Sequence, residues 1–290
     1  MKPFDIALGL AVPVLWGVGF TVAKPTLAHF PPLLMLALVY GATALCLARN
    51  LGRIETPLWR LFLVSTLVTT TQGGLIFSGL SRLPASTAVL VLQLGVPFSV
   101  LFAWPLVGER PTPARLCGIA LAFAGVAVVA GAPQAATSWI PVLLVAAGSA
   151  VWALGQAAAR RLSRDHGTVF LAGIAAAAVP QALAASALLE SGQWTAIRTA
   201  TTGDWATLAV VILAGYVAAY SIWYGLLRRY RVDQVTPFAF LMPLFGVVAS
   251  ALLLGETLAL GQLAGGAVIM LGLAIVVLAR QRSPARLEQA

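Results

Sequence analysis

Residues 253–279 read LLGETLALGQLAGGAVIMLGLAIVVLA, and residues 106–131 read LVGERPTPARLCGIALAFAGVAVVAG. Each stretch opens on two apolar residues and Gly-Glu, then runs into apolar sequence punctuated by glycine. Between Leu260 and Ala279 there is no charged residue. About 20 mostly apolar residues in a helix span the hydrocarbon layer of a bilayer, so the stretch reads as a membrane-spanning helix. Gly118 and Gly125 align with Gly265 and Gly272 at the same offset of 147 that separates Glu109 from Glu256. The comparison decides two things together: the chain is built of membrane helices, and it repeats.

Composition agrees. Of 290 residues, 60% are hydrophobic and 9% charged, with a mean hydropathy of +0.94. Soluble domains carry about 25% charged residues, and no single soluble core could hide so much apolar surface. The same ruler gives ten segments, at about 5–23, 32–49, 58–80, 84–105, 114–131, 139–159, 167–189, 205–227, 232–254 and 260–279. Prolines punctuate the breaks at Pro31-Pro32, Pro57, Pro84, Pro111, Pro113, Pro133 and Pro141. The longest connection, about 190–204, is too short for a soluble domain, so function is expected in or beside the helices.

The net charge of +9 and a pI near 10.6 do not point to nucleic acid, because the basic residues fall between the apolar segments. With the N-terminus placed inside, fifteen of them lie on the cytoplasmic side: Lys2, Arg49, Arg53, Arg60, Arg110, Arg115, Arg160, Arg161, Arg164, Arg228, Arg229, Arg231, Arg280, Arg282 and Arg286. Three lie outside, Lys24, Arg82 and Arg198. Basic residues concentrate in cytoplasmic loops, so both termini are expected in the cytoplasm and the bilayer is the expected surround. Lys2 and the apolar run after it read as an uncleaved signal anchor. Cys46 and Cys117 lie in apolar stretches and imply neither a disulfide framework nor a metal site.

The repeat extends through the chain. Trp16 to Lys24 aligns with Trp152 to Arg160, offset 136, and Gly79, Leu80 and Pro97 align with Gly225, Leu226 and Pro243, offset 146. Two units follow, residues 1–134 and 135–290, of five helices each. Five is odd, so the second unit is expected upside down relative to the first. The fold class is therefore an all-α membrane protein of two inverted five-helix repeats. Such repeats place a ligand site near the bilayer midplane and let it face each side in turn. Five helices per unit can enclose a pathway alone, so a monomer is expected.

Trp16-Gly17-Val18-Gly19-Phe20, Phe30-Pro31-Pro32-Leu33 and the doubled Gly-Glu before helices 5 and 10 together resemble the drug/metabolite transporter superfamily, in its ten-helix EamA-type branch. The resemblance covers about residues 5–280 and implies export of metabolites such as amino acids, or of drug-like compounds, across the bacterial inner membrane. The family's frequent Arg-Phe in helix 2 is replaced here by Val39-Tyr40, so no role for that arginine carries over.

The chemical inventory contains no zinc pattern, no phosphate loop, no nucleophile elbow and no Walker motif, so neither an enzyme nor an ATP-driven pump is expected, and no cofactor or metal. His29 and His166 lie at loop edges. No Asp, Glu, Lys, Arg or His falls deep within the ten segments, which disfavours direct proton coupling through a buried carboxylate. Glu109 and Glu256 read as turn residues that help to start the helices after them; Lys24 and Arg160 read as interfacial anchors at the ends of helices 1 and 6.

What remains is polar and aromatic. Tyr216, Tyr220, Trp223 and Tyr224 occupy one face of helix 8 and extend over about 12 Å, farther than an interfacial aromatic belt requires. Gln72 and Phe77 hold the matching region of helix 3, after Thr69; Gln93 and Gln156 are amides at depth; Trp16 and Trp152 are repeat mates, with Phe20 and Gln156 one turn on. These eleven residues are the candidate substrate site. Pro97 and Pro243 sit at matching places inside helices 4 and 9, where a proline bend is a candidate gate. An uncharged aromatic pocket suits aromatic or bulky amino acids, which resemblance to YddG-like members of the family also implies. A multidrug or nucleotide-sugar carrier is a second reading, although phosphates would call for deep basic side chains. A lipid flippase subunit or a membrane scaffold is a third.

Overall fold

A computed structural model describes residues 1–108, 110–131, 139–230 and 232–279. Glu109, Pro133, Arg231, Arg280, Arg282 and Arg286 lie outside the described residues. Proline sets most helix starts, since its fixed φ suits the first turn and its missing N–H costs nothing there. Helix α1 is Pro3–His29, α2 Pro32–Cys46, α3 Leu58–Leu80, and α4 runs in two pieces, Ala85–Leu92 and Gly95–Val107. Helix α5 is Pro113–Ala130, α6 Ile140–Leu162, α7 Gly167–Leu189 and α8 Thr202–Leu227. Helix α9 again has two pieces, Val232–Ala239 and Met242–Leu254, and α10 is Leu260–Leu278. The described residues contain no strand. Nine helices among them are long and apolar enough to cross a membrane. The apolar α2 is shorter, 15 residues, because the chain turns at Leu47 into a 3₁₀ segment, Ala48–Arg53.

The two broken helices have one cause. Pro97 and Pro243 each lack the N–H that would bond the carbonyl four residues earlier, and the helices open just there, at Gln93–Leu94 and Phe240–Leu241. Helices α3 and α8 each contain a wide π turn at matching places, Thr66–Thr71 and Val211–Ala218. The Gly of each Gly-Glu pair also has a physical reading. Gly108 (φ 78°) and Gly255 (φ 65°) end α4 and α9 in the left-handed conformation that only glycine takes cheaply.

Helices α5 and α10 pack along their whole length. A Cβ on Gly118 would lie 2.6 Å from the Gly272 carbonyl, and one on Gly125 would lie 2.7 Å from the Gly265 carbonyl. Gly118 aligns with Gly265 and Gly125 with Gly272, so each aligned pair exchanges partners across the contact, the pattern a two-fold axis produces. Helix α1 packs on α8 and α9, α6 on α3 and α4, and α2 on α7.

Two expectations about the ends change. Helix α1 runs through Pro25 to His29, so Lys24 is not its last residue. Its ammonium turns inward to the carbonyls of Leu80 (3.0 Å) and Ser81 (2.9 Å). Glu256 does not start α10, where Gln262 Oε1 accepts from the Ala259 N–H instead (3.0 Å). Its carboxylate accepts from the N–H groups of Ala85 (2.7 Å) and Ser86 (3.0 Å) at the start of α4, and from the Ser86 hydroxyl (2.6 Å).

The α5–α10 contact leaves no room for a larger residue. Gly125→Val and Gly272→Val should each destabilise the detergent-solubilised chain by about 1–3 kcal/mol, the usual cost of overpacking. Gly203→Ala, with no atom nearer than 3.5 Å to the new Cβ, should not lower the thermal midpoint. Intrinsic-fluorescence melts would read the difference, and equal midpoints for all three would overturn the packing argument.

Candidate functional site

Close approach of α1 and α8 builds one wall of a central cavity. A Cβ on Gly19 would lie 2.9 Å from the Gly215 Cα, so the two backbones nearly touch. That approach brings Trp16 of α1 to 5.3 Å from Tyr220 and 5.2 Å from Trp223, between ring centroids. Along α8 the Tyr216 and Tyr220 rings stand 5.9 Å apart, and those of Tyr220 and Tyr224 stand 6.1 Å apart. The ladder continues to α2, where Tyr40 meets Tyr216 edge to face at 5.4 Å.

The opposite wall comes from α3, α6 and α7. Trp152 and Gln156 of α6 face the cavity one turn apart, and Thr69, Gln72 and Phe77 of α3 complete that side. The Thr69 hydroxyl is held by Ser65, which donates to the Ile174 carbonyl of α7 (2.9 Å). Both π turns contribute to the lining, through Val68 and Thr69 on one side and Gly215 and Tyr216 on the other. Such turns often mark functional sites because they displace side chains from helical register.

The space between these walls, counting the part open to solvent, is about 700 Å³. Among the described residues, none of its lining side chains carries a formal charge. The indole N–H of Trp16 is buried without a hydrogen-bond partner, and beside it the amides of Gln72 and Gln156 and the tyrosine hydroxyls supply the polar contacts. One turn beyond Gln156 and Tyr224 stand the exposed Arg160 and Arg228, so the neutral cavity lies beneath a basic rim.

Of the eleven expected site residues, Trp16, Phe20, Gln72, Phe77, Trp152, Gln156, Tyr216, Tyr220 and Tyr224 lie together in this lining. Two do not. Trp223 packs behind Trp16 and supports its ring. Gln93 sits buried at the break in α4, and its depth in the sequence does not bring it to the cavity. Pro97 and Pro243 stand at the helix breaks rather than in the cavity wall. Tyr40 escaped the sequence reading, although a phenol in the middle of an otherwise apolar helix needs a polar partner or a cavity. Leu171 and Ile174 of α7 also line the space, and nothing separates them by type from residues facing lipid.

A bundle of apolar helices around an uncharged aromatic cavity is the architecture of a membrane transporter. The EamA-like transporter family model matches residues 4–131 and 139–278. The chain belongs to that family and is a membrane efflux transporter. It is 33% identical over 288 residues to the "Probable amino-acid metabolite efflux pump" of Salmonella typhimurium, covering 96% of each chain. It is 31% identical over 207 residues to the "Aromatic amino acid exporter YddG" of Ancylobacter novellus, covering 64% of this chain and 68% of that one. A chain of known crystal structure superposes at a TM-score of 0.69, covering 97% of this chain and 99% of its own at 23% identity. That likeness bears on the fold alone.

If the ladder holds an aromatic solute, each ring adds a share of the binding. Tyr216→Leu should weaken binding of free tryptophan roughly five- to tenfold, the loss of one aromatic contact. Trp194→Leu, at an exposed ring beside Arg198, should leave it unchanged. Calorimetric titration of the purified chain measures both.

Proposed function

We propose that the chain exports aromatic and other bulky amino acids across the bacterial inner membrane, by alternating access and without ATP. In this reading ten helices span the bilayer as two inverted five-helix halves, with α2 as the tenth span, both termini in the cytoplasm and the monomer as the working unit. One observation carries the substrate class: the cavity is walled by Trp16, Tyr40, Tyr216, Tyr220 and Tyr224 and, among the described residues, holds no charge. Aromatic faces attract both apolar rings and ammonium groups. Neutral donors, the Trp16 N–H and the glutamine amides, suit a carboxylate that must later be released. The basic rim at Arg160 and Arg228 raises the local concentration of carboxylated solutes at the mouth. A nucleotide-sugar carrier would need cations in the lining to meet phosphates, and this lining offers none. The names of the relatives from Salmonella typhimurium and Ancylobacter novellus lend support to amino acids as cargo.

Reconstitution decides the matter. Liposomes containing the purified chain should show saturable uptake of radiolabelled tryptophan and phenylalanine, unaltered by an imposed pH gradient, with glycine uptake near background. Accumulation driven by the gradient would show that a carboxylate takes part, and would overturn the uncoupled mechanism. Absence of uptake of any amino acid would overturn the substrate class.

A further inference from the structure

The turn between α3 and α4 is gripped from both sides by opposite charges. The last carbonyls of a helix lack intrahelical donors and carry partial negative charge; the first N–H groups lack acceptors and carry partial positive charge. Lys24 meets the first kind, with its ammonium on the Leu80 and Ser81 carbonyls that end α3. Glu256 meets the second, with one carboxylate oxygen on the Ala85 N–H and the other on the Ser86 N–H that begin α4. Each charge therefore sits on the helix end of opposite sign, where charge-assisted bonds are strong.

The two charges come from the same body. Lys24 belongs to α1 and Glu256 follows α9, and α1 packs along the second piece of α9. Helix α3 packs instead on α6, and α4 packs both on α6 and, through its first piece, on the second piece of α9. The clasp thus joins two groups of helices, at the end of the bundle away from Arg160 and Arg228. Beside it the groups are also in contact, since a Cβ on Gly246 of α9 would lie 2.8 Å from the Val89 side chain of α4.

At the basic end the corresponding hold is absent. Lys24 aligns with Arg160, and Leu80 and Ser81 align with Leu226 and Leu227. Yet the Arg160 side chain is exposed and has no hydrogen bond or ion pair among the described residues. Among those residues, the first piece of α9 makes no packing on the second piece of α4 to compare with that of their aligned counterparts. Phe77, near the clasp, is 2% exposed, whereas its counterpart Trp223 is only half-buried. One end is latched and the other is not.

We propose that Lys24 and Glu256 are the gate residues of the far end, a charge–dipole clasp that holds it shut while the basic end stands open, and that Arg160 takes the corresponding hold on the last carbonyls of α8 when the halves exchange. This deepens the alternating-access reading and rests on it, but not on any choice of substrate. Lys24 and Arg160 act as positioning residues: neither contributes to the cavity lining, and both set which end admits the solute.

The test reads distances without substrate. In a background with Cys46 and Cys117 changed to Ser, spin labels at Ala28→Cys and Arg82→Cys, both exposed positions, report the far end. Labels at Arg164→Cys and Arg228→Cys, also exposed, report the basic end. Pulsed electron–electron distance measurements on the full chain in lipid nanodiscs should show one short far-end population before further mutation. Lys24→Ala should raise the ratio of long to short far-end distances about tenfold, the equivalent of about 1.4 kcal/mol, and should shorten the basic-end distance in parallel. Lys24→Arg should keep the original distribution. Glu256→Gln, which keeps the shape of the side chain and loses its charge, should act in the same direction as Lys24→Ala and covers the case in which that variant does not fold. Unchanged far-end distances in both variants would overturn the clasp. Far-end widening with no shortening at the basic end would also overturn it, as local loosening only. A chain that exchanges ends in this way yet moves no aromatic amino acid would lose the substrate reading and keep the gate.

Discussion

Backbone polar groups in or near hydrocarbon must find partners within the protein, and in this chain that requirement falls hardest on the helix starts. Proline begins or precedes α2, α3 and α4, and proline offers no side-chain oxygen to cap the N–H groups that follow. At α2 and α4 carboxylates from distant segments do so instead, and at α3 a third holds the residues just before the proline. Glu190 at the end of α7 accepts from the Leu33 and Leu34 N–H groups at the start of α2 (2.7 and 3.1 Å). Asp165, between α6 and α7, accepts from Glu55 and Thr56 just before α3 (2.8 and 3.2 Å). Glu256 does the same for α4. Each uses both oxygens and joins residues more than a hundred positions apart in sequence, so two helix caps, and the Asp165 hold on the residues before α3, are also tertiary ties.

This use of charge explains the neutrality of the interior. Several acidic and basic side chains are committed toward the ends of the bundle, where they meet helix termini, as Lys24 does, or one another, as Asp5 and Arg229 do (3.1 Å). The middle of the bundle is left to aromatic rings, hydroxyls and amides. A cavity of that kind discriminates by shape and by π-face contact rather than by ion pairing. A solute without a counter-charge to break can leave as readily as it enters, which suits a carrier whose cargo must be released on the far side.

Much of this was legible in the sequence, for identifiable reasons. Hydropathy located the helices because membrane helices are apolar on all sides, and the Gly-Glu doublet exposed the repeat because helix ends in the left-handed conformation tolerate little but glycine. The α8 stripe from Tyr216 to Tyr224 was visible because helical periodicity survives without any knowledge of neighbours. The same all-round apolarity hid the rest. Leu171 and Ile174 look like residues facing lipid, and Gln93 looked like a cavity amide because depth along a helix says nothing of direction around it. The Glu256 tie was misread for a different reason: a Glu near a helix start is ordinarily credited to that helix, and only tertiary structure reveals that Glu256 serves α4 rather than α10.

The aligned contacts also differ in what an exchange of the two halves would do to them. The α5–α10 and α2–α7 contacts pair a helix with its own counterpart, so each maps onto itself and can persist as a framework in either state. Outside these seams, aligned positions carry unlike residues: Lys24 aligns with Arg160, Phe20 with Gln156, and Phe77 with Trp223. In the proposed alternating-access reading, the free-energy difference between the states resides in those unlike pairs, and a gap of a few kcal/mol keeps both states accessible. In that reading, substitution at one member of an unlike pair shifts the balance between states, whereas substitution in the self-paired glycine seams loosens both states alike.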